Sequence, residues 1–409
     1  MTEPWLDAAL RGASAAEDMR RLFPWADAMA ACPQDAVYHA EGDVWTHTVM
    51  VAEALEVGLV ADKADLQRDA LRVGAWFHDV AKPTTTIIEF DETLGRERVR
   101  QPGHAPLGAQ IAWQALIDAG AGAPLARAVH DLVFWHQRPA HMLSQKNSLL
   151  RSVQFSVAGG NLRWSDLLDF CSADNRGRIS PNLDETLMEF DLLQLYIGEA
   201  GLQAGCDLVR EPWPFATENA RMRYLNGPAD GNAFWTPPEP AGSRLVMMSG
   251  LPGAGKNTLI AETYPDLPVV AMDDVRRDLG LAPGDNEGRV AQAALEAARV
   301  HLRSGQDFVW NATAINRLMR QKVTRLGLDY DARVEIHQVD VPCAVALARN
   351  AKRKDPVPDA IIRGMAAKRE PATLSEAHTI WSTDQHGITQ RISPEHHARQ
   401  VPDDAPHSP

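Results

Sequence analysis

The chain has 409 residues, 45% of them hydrophobic and 23% charged, with a formal net charge of −13. That length predicts two domains or more, and the balance is that of a soluble globular protein. No apolar stretch approaches the ~20 residues a bilayer span needs, the start (Glu3, Asp7, Arg11, Glu17, Asp18) does not read as a signal peptide, and the negative charge argues against general coating of nucleic acid. Cys32, Cys171, Cys206 and Cys343 lie far apart with no metal-type pair, which reads as reduced thiols in a cytoplasmic protein.

Residues 44–205 read as consecutive helices. Val44, Val51 and Leu55 share one stripe, and Val73, Trp76 and Phe77 another. Helical pattern recurs at 106–118, 123–136, 160–171 and 183–198, with no convincing strand in this half. The first domain is expected to span 1–210. Along it lie His47, His78-Asp79, His104, His136 and Asp174. An adjacent imidazole and carboxylate reach one ion if it sits near the helix surface. His47 and Asp174 would complete that site, and His104 with His136 would hold a second ion. Mixed nitrogen and oxygen ligands suit Mn²⁺, Fe²⁺, Co²⁺, Ni²⁺ or Zn²⁺. Two ions about 4 Å apart would clamp a phosphate and activate water. His130-Asp131 imitates the pair but reads as a surface feature, and His39 and His141 as loop histidines.

Between 211 and 242 the pattern breaks. Pro212, Pro214, Gly227, Pro228, Gly231, Pro237, Pro238 and Pro240 mark a connector. Its Trp213 and Trp235 suggest that it packs on a domain.

From 243 to 382 strand candidates at 244–249, 268–272, 306–311 and 333–340 alternate with helices at 256–264, 287–303, 315–326, 343–352 and 358–368. Alternation of this kind predicts a parallel sheet with helices on both faces. The first strand runs into Gly250-Leu251-Pro252-Gly253-Ala254-Gly255-Lys256-Asn257-Thr258. The three glycines permit a tight path in which backbone N–H groups point at phosphate oxygens, and Lys256 adds charge where the next helix begins. This is an ATP site by pattern. Asn257 stands where most such loops place Ser or Thr for Mg²⁺; it offers an amide oxygen, and Thr258 follows. Asp273, at the C-terminal end of a strand, is placed to accept a proton from a substrate hydroxyl attacking the γ-phosphate. Asp274 reads as a helix N-cap. Arg276, one turn on, would hold a substrate phosphate. Asn311 and Thr313 end another strand at the same edge and would orient metal water or γ-phosphate. The run Arg349–Pro358 reads as a basic lid, with Arg349 and Arg353 four apart on one helical face and able to neutralise the transferring phosphoryl group. Residues 383–409, rich in Pro, His and Asp, read as a disordered tail in which His396 and His397 are solvated.

Taken in order, His47, His78-Asp79 and Asp174 resemble the core motif of the HD phosphohydrolase superfamily. The fragments Gly103–Ala109 and Leu132–His136 look like the extra histidine motifs of its dinuclear members. Lys82 matches the lysine that often follows the His-Asp pair, implying a contact to substrate phosphate. The phosphate loop, Asp273 with Arg276, and the Arg349–Pro358 lid resemble the kinase domain of phage-type polynucleotide kinases, with Asn257 as a departure. Together they resemble the bifunctional bacterial HD-polynucleotide kinases. The resemblance implies an all-α domain followed by an α/β P-loop kinase domain. It also implies ATP with Mg²⁺ in the second, transition metal in the first, DNA or RNA ends as substrates, and a ligase downstream. Two rivals stand beside it: an HD nucleotidase fused to a small-molecule or nucleoside kinase, and a non-catalytic ATP-binding switch.

Overall fold

The computed structural model describes residues 3–144, 163–228, 231–282 and 284–392. Its N-terminal half is helix-rich. Short helices α1 (Pro4–Ala9), α2 (Ala16–Leu22) and α3 (Ala26–Ala30) lead into α4 (Val44–Glu56) and α5 (Asp65–Phe77). Asp43 starts α4 by accepting Thr46 N–H at 2.9 Å, the side-chain cap that satisfies an orphan donor of the first turn. The stripe Val44, Val51, Leu55 is buried as the pattern requires, together with Val73, Trp76 and Phe77. After α6 (Lys82–Thr85) come α7 (His104–Asp118), α8 (Ala123–Trp135), α9 (Trp164–Arg176) and α10 (Leu183–Ala204).

One expectation fails here. Strands β1 (Ile87–Asp91) and β2 (Arg96–Arg100) pair antiparallel, with Ile88 opposite Val99. The hairpin projects into solvent, Phe90 being 65% exposed, so it has no buried face to write an apolar alternation. Its turn chemistry is local: the Asp91 carboxylate accepts Thr93 and Leu94 N–H, and Gly95 takes a φ of 64°.

The connector is partly helical. Thr217 caps α11 (Glu218–Asn226) through Ala220 N–H at 3.0 Å. Trp213 packs into the helical core, whereas Trp235 stays 56% exposed, contrary to expectation. On the far side of α11, Arg221 donates to the carbonyls of Leu374, Ala377 and His378.

Next come β3 (Arg244–Ser249), α12 (Lys256–Thr263), β4 (Val269–Ala271), α13 (Met272–Asp278), α14 (Glu287–Ser304) and β5 (Phe308–Asn311). The chain continues through α15 (Arg317–Asp329), β6 (Arg333–Val339), α16 (Cys343–Asn350), α17 (Asp359–Ala366), β7 (Thr379–Thr383) and β8 (Thr389–Ile392). The sheet order is β4-β5-β3-β6-β7-β8, parallel except for β8. Two apolar clusters cover its faces, one with Leu245 and Met247, the other with Val246 and Met248. That is the period-2 signature of a strand buried on both sides.

The expected tail 383–409 begins too early. Residues 389–392 form β8, whose Ile392 is buried under the sheet. Asp384 closes the turn by accepting His386 and Ile388 N–H. The short polar strand lacks an apolar run because an edge strand has one neighbour only. Residues 393–409, with His396 and His397, lie outside the described residues.

The two halves meet on a polar face. Gln110 and Gln114 of α7 bond to Glu370 and Arg369, and Asp118 accepts Cys343 N–H at 2.7 Å, capping α16. Arg127 of α8 is buried and donates to Ala372 O at 2.5 Å and Gln338 Oε1 at 3.0 Å. His130 and Asp131 are buried and bonded to each other at 2.9 Å, so they are not a surface pair. Among the described residues no helix is long and apolar enough to cross a membrane.

Candidate functional site

In the helical half, three helix ends and two helix interiors converge. His78 and His136 follow the last residues of α5 and α8, His104 opens α7, His47 lies within α4 and Asp174 within α9. Together with Asp79 they are all buried, none more than 3% exposed. Helix ends leave carbonyls without intrahelical partners, and the histidines use such carbonyls. His78 Nδ1–H donates to Ala75 O at 2.8 Å and His136 Nδ1–H to Val133 O at 2.7 Å. His104 Nδ1–H donates likewise to Gln101 O at 2.7 Å, and His47 Nδ1–H to Gly177 O at 3.0 Å.

Those bonds fix the tautomers, so all four Nε2 lone pairs face inward. His47 Nε2 lies 3.2 Å from His78 Nε2, and His104 Nε2 lies 3.4 Å from His136 Nε2. Asp174 Oδ1 is 3.0 Å from His47 Nε2, and Asp79 Oδ1 is 3.3 Å from His104 Nε2. Asp79 Oδ2 is 3.2 Å from His78 Nε2 and 2.7 Å from Lys82 Nζ. Facing lone pairs and carboxylates repel in a buried site unless a cation lies among them. Among the described residues three triplets have one ligand atom per residue within 4.8 Å: His39–Glu41–His47, and the two that carry the inward Nε2 atoms, His47–His78–Asp174 and Asp79–His104–His136. Asp79 faces both of these two, Oδ1 towards His104 and Oδ2 towards His78. This donor set fits divalent transition metal.

The electrostatics agree. Burial alone would raise the Asp79 carboxyl; His78 and Lys82 outweigh it and hold the group well below the ordinary carboxylate range. Burial likewise opposes Asp174, but Arg178 and His47 hold it well below that range. Burial pushes His136 down to about 3 and also lowers His104, which keeps both imidazoles neutral and able to ligate.

Lys82 departs from expectation. It is buried, with Nζ 2.7 Å from Asp79 Oδ2 and 2.6 Å from Gln34 Oε1, so it neutralises the Asp79 carboxylate rather than standing free for a substrate phosphate. Arg178, which the sequence reading missed, grips both oxygens of Asp174 at 2.5 and 3.2 Å and keeps its side chain 23% exposed. Its signal was the i,i+4 spacing from Asp174, hidden because α9 ends before it.

In the second half, β3 ends at Ser249 and the loop turns through Gly250, Gly253 and Gly255, with φ of 155°, 80° and 109°. A Cβ on Gly253 would meet Ala346 O at 2.3 Å, so the loop is seated against α16. Ala254 is buried at its centre. Lys256 opens α12 and folds back, its ammonium on Gly250 O at 2.9 Å and Leu251 O at 3.0 Å. Gly250 N–H donates to the Thr313 carbonyl at 2.8 Å, so Thr313 touches the loop by its backbone. Asn257 Oδ1, expected at Mg²⁺, accepts Asn311 Nδ2 at 2.9 Å, and Thr258 is exposed beside it.

Asp273 stands at the start of α13, directly after β4, and is 81% exposed. Arg276 spans Asp273 at 2.8 Å and Glu287 at 2.9 Å. The expected phosphate clamp is thus held by two carboxylates, and Glu287 on α14 is a partner the sequence did not reveal. Asp274 pairs with Arg277 and caps nothing. Arg349 donates to Ala254 O at 2.9 Å and Gln385 O at 3.0 Å. Arg353 does not share its helix, because α16 stops at Asn350, whose side chain clasps Val357 N–H and C=O. Pro356 and Pro358 disfavour helix at the residues before them, so the lid is a loop.

Burial lowers Lys256 to about 8, partly offset by Asp273. The cation is what ATP needs, so a lysine neutral before binding must take up a proton on binding. ATP affinity is therefore expected to hold below pH 8 and to fall towards tenfold per pH unit above it. Calorimetry at pH 7 and 9 in buffers of different ionisation heat checks this; affinity independent of pH with no proton uptake contradicts it.

Comparison with known proteins places a family model described as an HD domain on residues 44–168 and one described as an AAA domain on residues 245–372. The chain is 32% identical over 169 residues to a multifunctional CCA protein of Halorhodospira halophila. That match covers 39% of this chain and 35% of the relative, so the chain spans about a third of that relative's length. Two solved structures are similar to it. One is described as a kinase of Chloroflexus aurantiacus, with TM-score 0.30 and 19% identity over 35% of this chain and 85% of that one. The other is a gluconokinase of Sinorhizobium meliloti, with TM-score 0.26 and 17% identity over 36% and 84%.

Proposed function

We propose that this chain, an HD domain joined to a P-loop kinase-type domain, heals nucleic-acid ends. The C-terminal domain phosphorylates 5′-hydroxyl ends with ATP, and the HD domain removes 3′-phosphate or 2′,3′-cyclic phosphate. The product ends, 5′-phosphate and 3′-hydroxyl, are those a ligase joins. The observation that carries this reading is the pairing, in one chain, of a buried four-histidine, two-aspartate cluster with a phosphate loop flanked by an open carboxylate, Asp273.

In the kinase step Asp273 takes the proton of the acceptor hydroxyl as its oxygen bonds to the γ-phosphorus and the bond to ADP breaks. Lys256 and Arg349 lie beside the loop and offset the charge on the transferring group. Mg²⁺ would supply further charge neutralisation, and Asn257, Asn311 and Thr258 are the residues that would hold it. In the HD domain Asp79, Asp174 and the four histidines hold divalent metal, which supplies Lewis acidity and a water of lowered pKa when bound. Lys82 keeps Asp79 ionised, and Arg178 keeps Asp174 aimed inward while offering its exposed edge to a phosphate.

The test is one panel of substrates. Label from γ-labelled ATP is expected on 5′-hydroxyl DNA or RNA strands and not on free nucleosides or sugars, with phosphate released from 3′-phosphate strands. Labelling of nucleosides alone would replace this reading by a small-molecule kinase.

A further inference from the structure

Resting on the two-ion reading above, we infer that Glu41 is a positioning residue that fixes His47 for one of the two ions. His47 differs from the other three histidines. They end or begin helices, and each gives Nδ1–H to the carbonyl three residues earlier in the chain. His47 sits inside the first turns of α4 (Val44–Glu56), where the carbonyls behind it are taken: Asp43 O by His47 N–H, Val44 O by the Thr48 hydroxyl. Its Nδ1 must be satisfied from elsewhere, and two segments supply it.

The first is Gly177, whose carbonyl accepts at 3.0 Å. A Cβ there would stand 2.7 Å from Val51 N and Val51 Cγ2, so only glycine lets this carbonyl approach α4 without displacing it. The second is Glu41, whose Oε1 lies 3.3 Å from His47 Nδ1 and 2.8 Å from His39 Nδ1. Its Oε2 accepts Ile179 N–H at 2.9 Å, while Ala40 N–H donates to Ile179 O. Glu41 thus ties the loop before α4 to the loop after α9, which carries Asp174. Its side chain is 1% exposed, and a buried charge is costly to keep. Bonds from His39, His47 and Ile179 outweigh burial and hold the carboxyl far below its ordinary range.

A carboxylate on Nδ1–H holds the ring orientation and makes Nε2 a stronger donor. Because His47 belongs with His78 and Asp174, the effect falls on that ion and spares the one at Asp79, His104 and His136.

The experiment uses the full chain stripped of metal and titrated with Mn²⁺, free ion being read by electron paramagnetic resonance. Glu41→Gln is isosteric and is expected to weaken one ion by about 10–100-fold and leave the other unchanged. Glu41→Asp, which keeps the charge, should recover part of the loss. Gly177→Ala, acting on the same Nδ1 from the other side, should weaken the same ion. Unchanged phosphorylation of 5′-hydroxyl strands shows that each variant is folded. Unchanged affinity for both ions in Glu41→Gln overturns the inference, and equal weakening of both replaces it by general loosening. A wild-type chain that binds no Mn²⁺, Co²⁺ or Zn²⁺ overturns the two-ion reading beneath it.

Discussion

Asp79→Asn is expected to remove 3′-end phosphate release while ATP-dependent phosphorylation continues. The substitution keeps the shape and takes away the charge that faces both triplets, since Oδ1 lies 3.3 Å from His104 and Oδ2 3.2 Å from His78. Loss of a ligand that two ions share should exceed the 10–100-fold cost of an outer-sphere change, so metal content falls as well as rate. Asn is preferable to Ala here. Lys82 is buried against this carboxylate, and a cavity beside an unpaired ammonium would cost about 3–5 kcal/mol of stability. Metal analysis and both assays on one preparation check the result. Loss of both activities in a folded protein would refute separate sites, and full phosphate release without transition metal would refute the metal centre. The polar interface through Arg127 and Asp118 makes the comparison informative, because it joins the two halves by direct hydrogen bonds.

Asp273→Asn is expected to slow 5′-phosphorylation by about 10²–10⁴-fold, the range for a lost general base, with ATP affinity retained. Lys256→Ala should lose ATP binding itself, since its ammonium sits over Gly250 and Leu251 at the loop mouth. The two variants therefore separate: one keeps nucleotide and loses rate, the other loses nucleotide. Arg276 sharpens the test. In the wild type it is shared between Asp273 and Glu287, and removal of the Asp273 charge leaves it with Glu287. A wild-type rate in Asp273→Asn would eliminate its role as base.

Much of this was legible from residue order. The phosphate loop followed from three glycines between an apolar strand and a helix, and the six residues that the fold gathers into one buried cluster were picked out by type and order. What was misread shares a cause. The β1–β2 hairpin and β8 carry no buried run, so hydrophobic periodicity passed over them. Arg353 was placed on a helix that stops at Asn350, three residues before it.

By itself the sequence determined relations that span three or four residues: caps such as Asp43 on Thr46, strand alternation in β3, glycines at positive φ, and the bonds of His78, His104 and His136 to the carbonyl three residues before each. Only the tertiary structure decided which groups meet. His47 and Asp174 are 127 residues apart, Glu41 and Ile179 are 138 apart, and Arg127 reaches Ala372 over 245. No local pattern encodes such distances, because they depend on how helices cross. The same packing set Lys82 against Gln34 and gave Arg276 to Glu287. Residue type gave each side chain its chemistry; helix packing set its partner, and the partner sets whether the group ligates, neutralises or aims another.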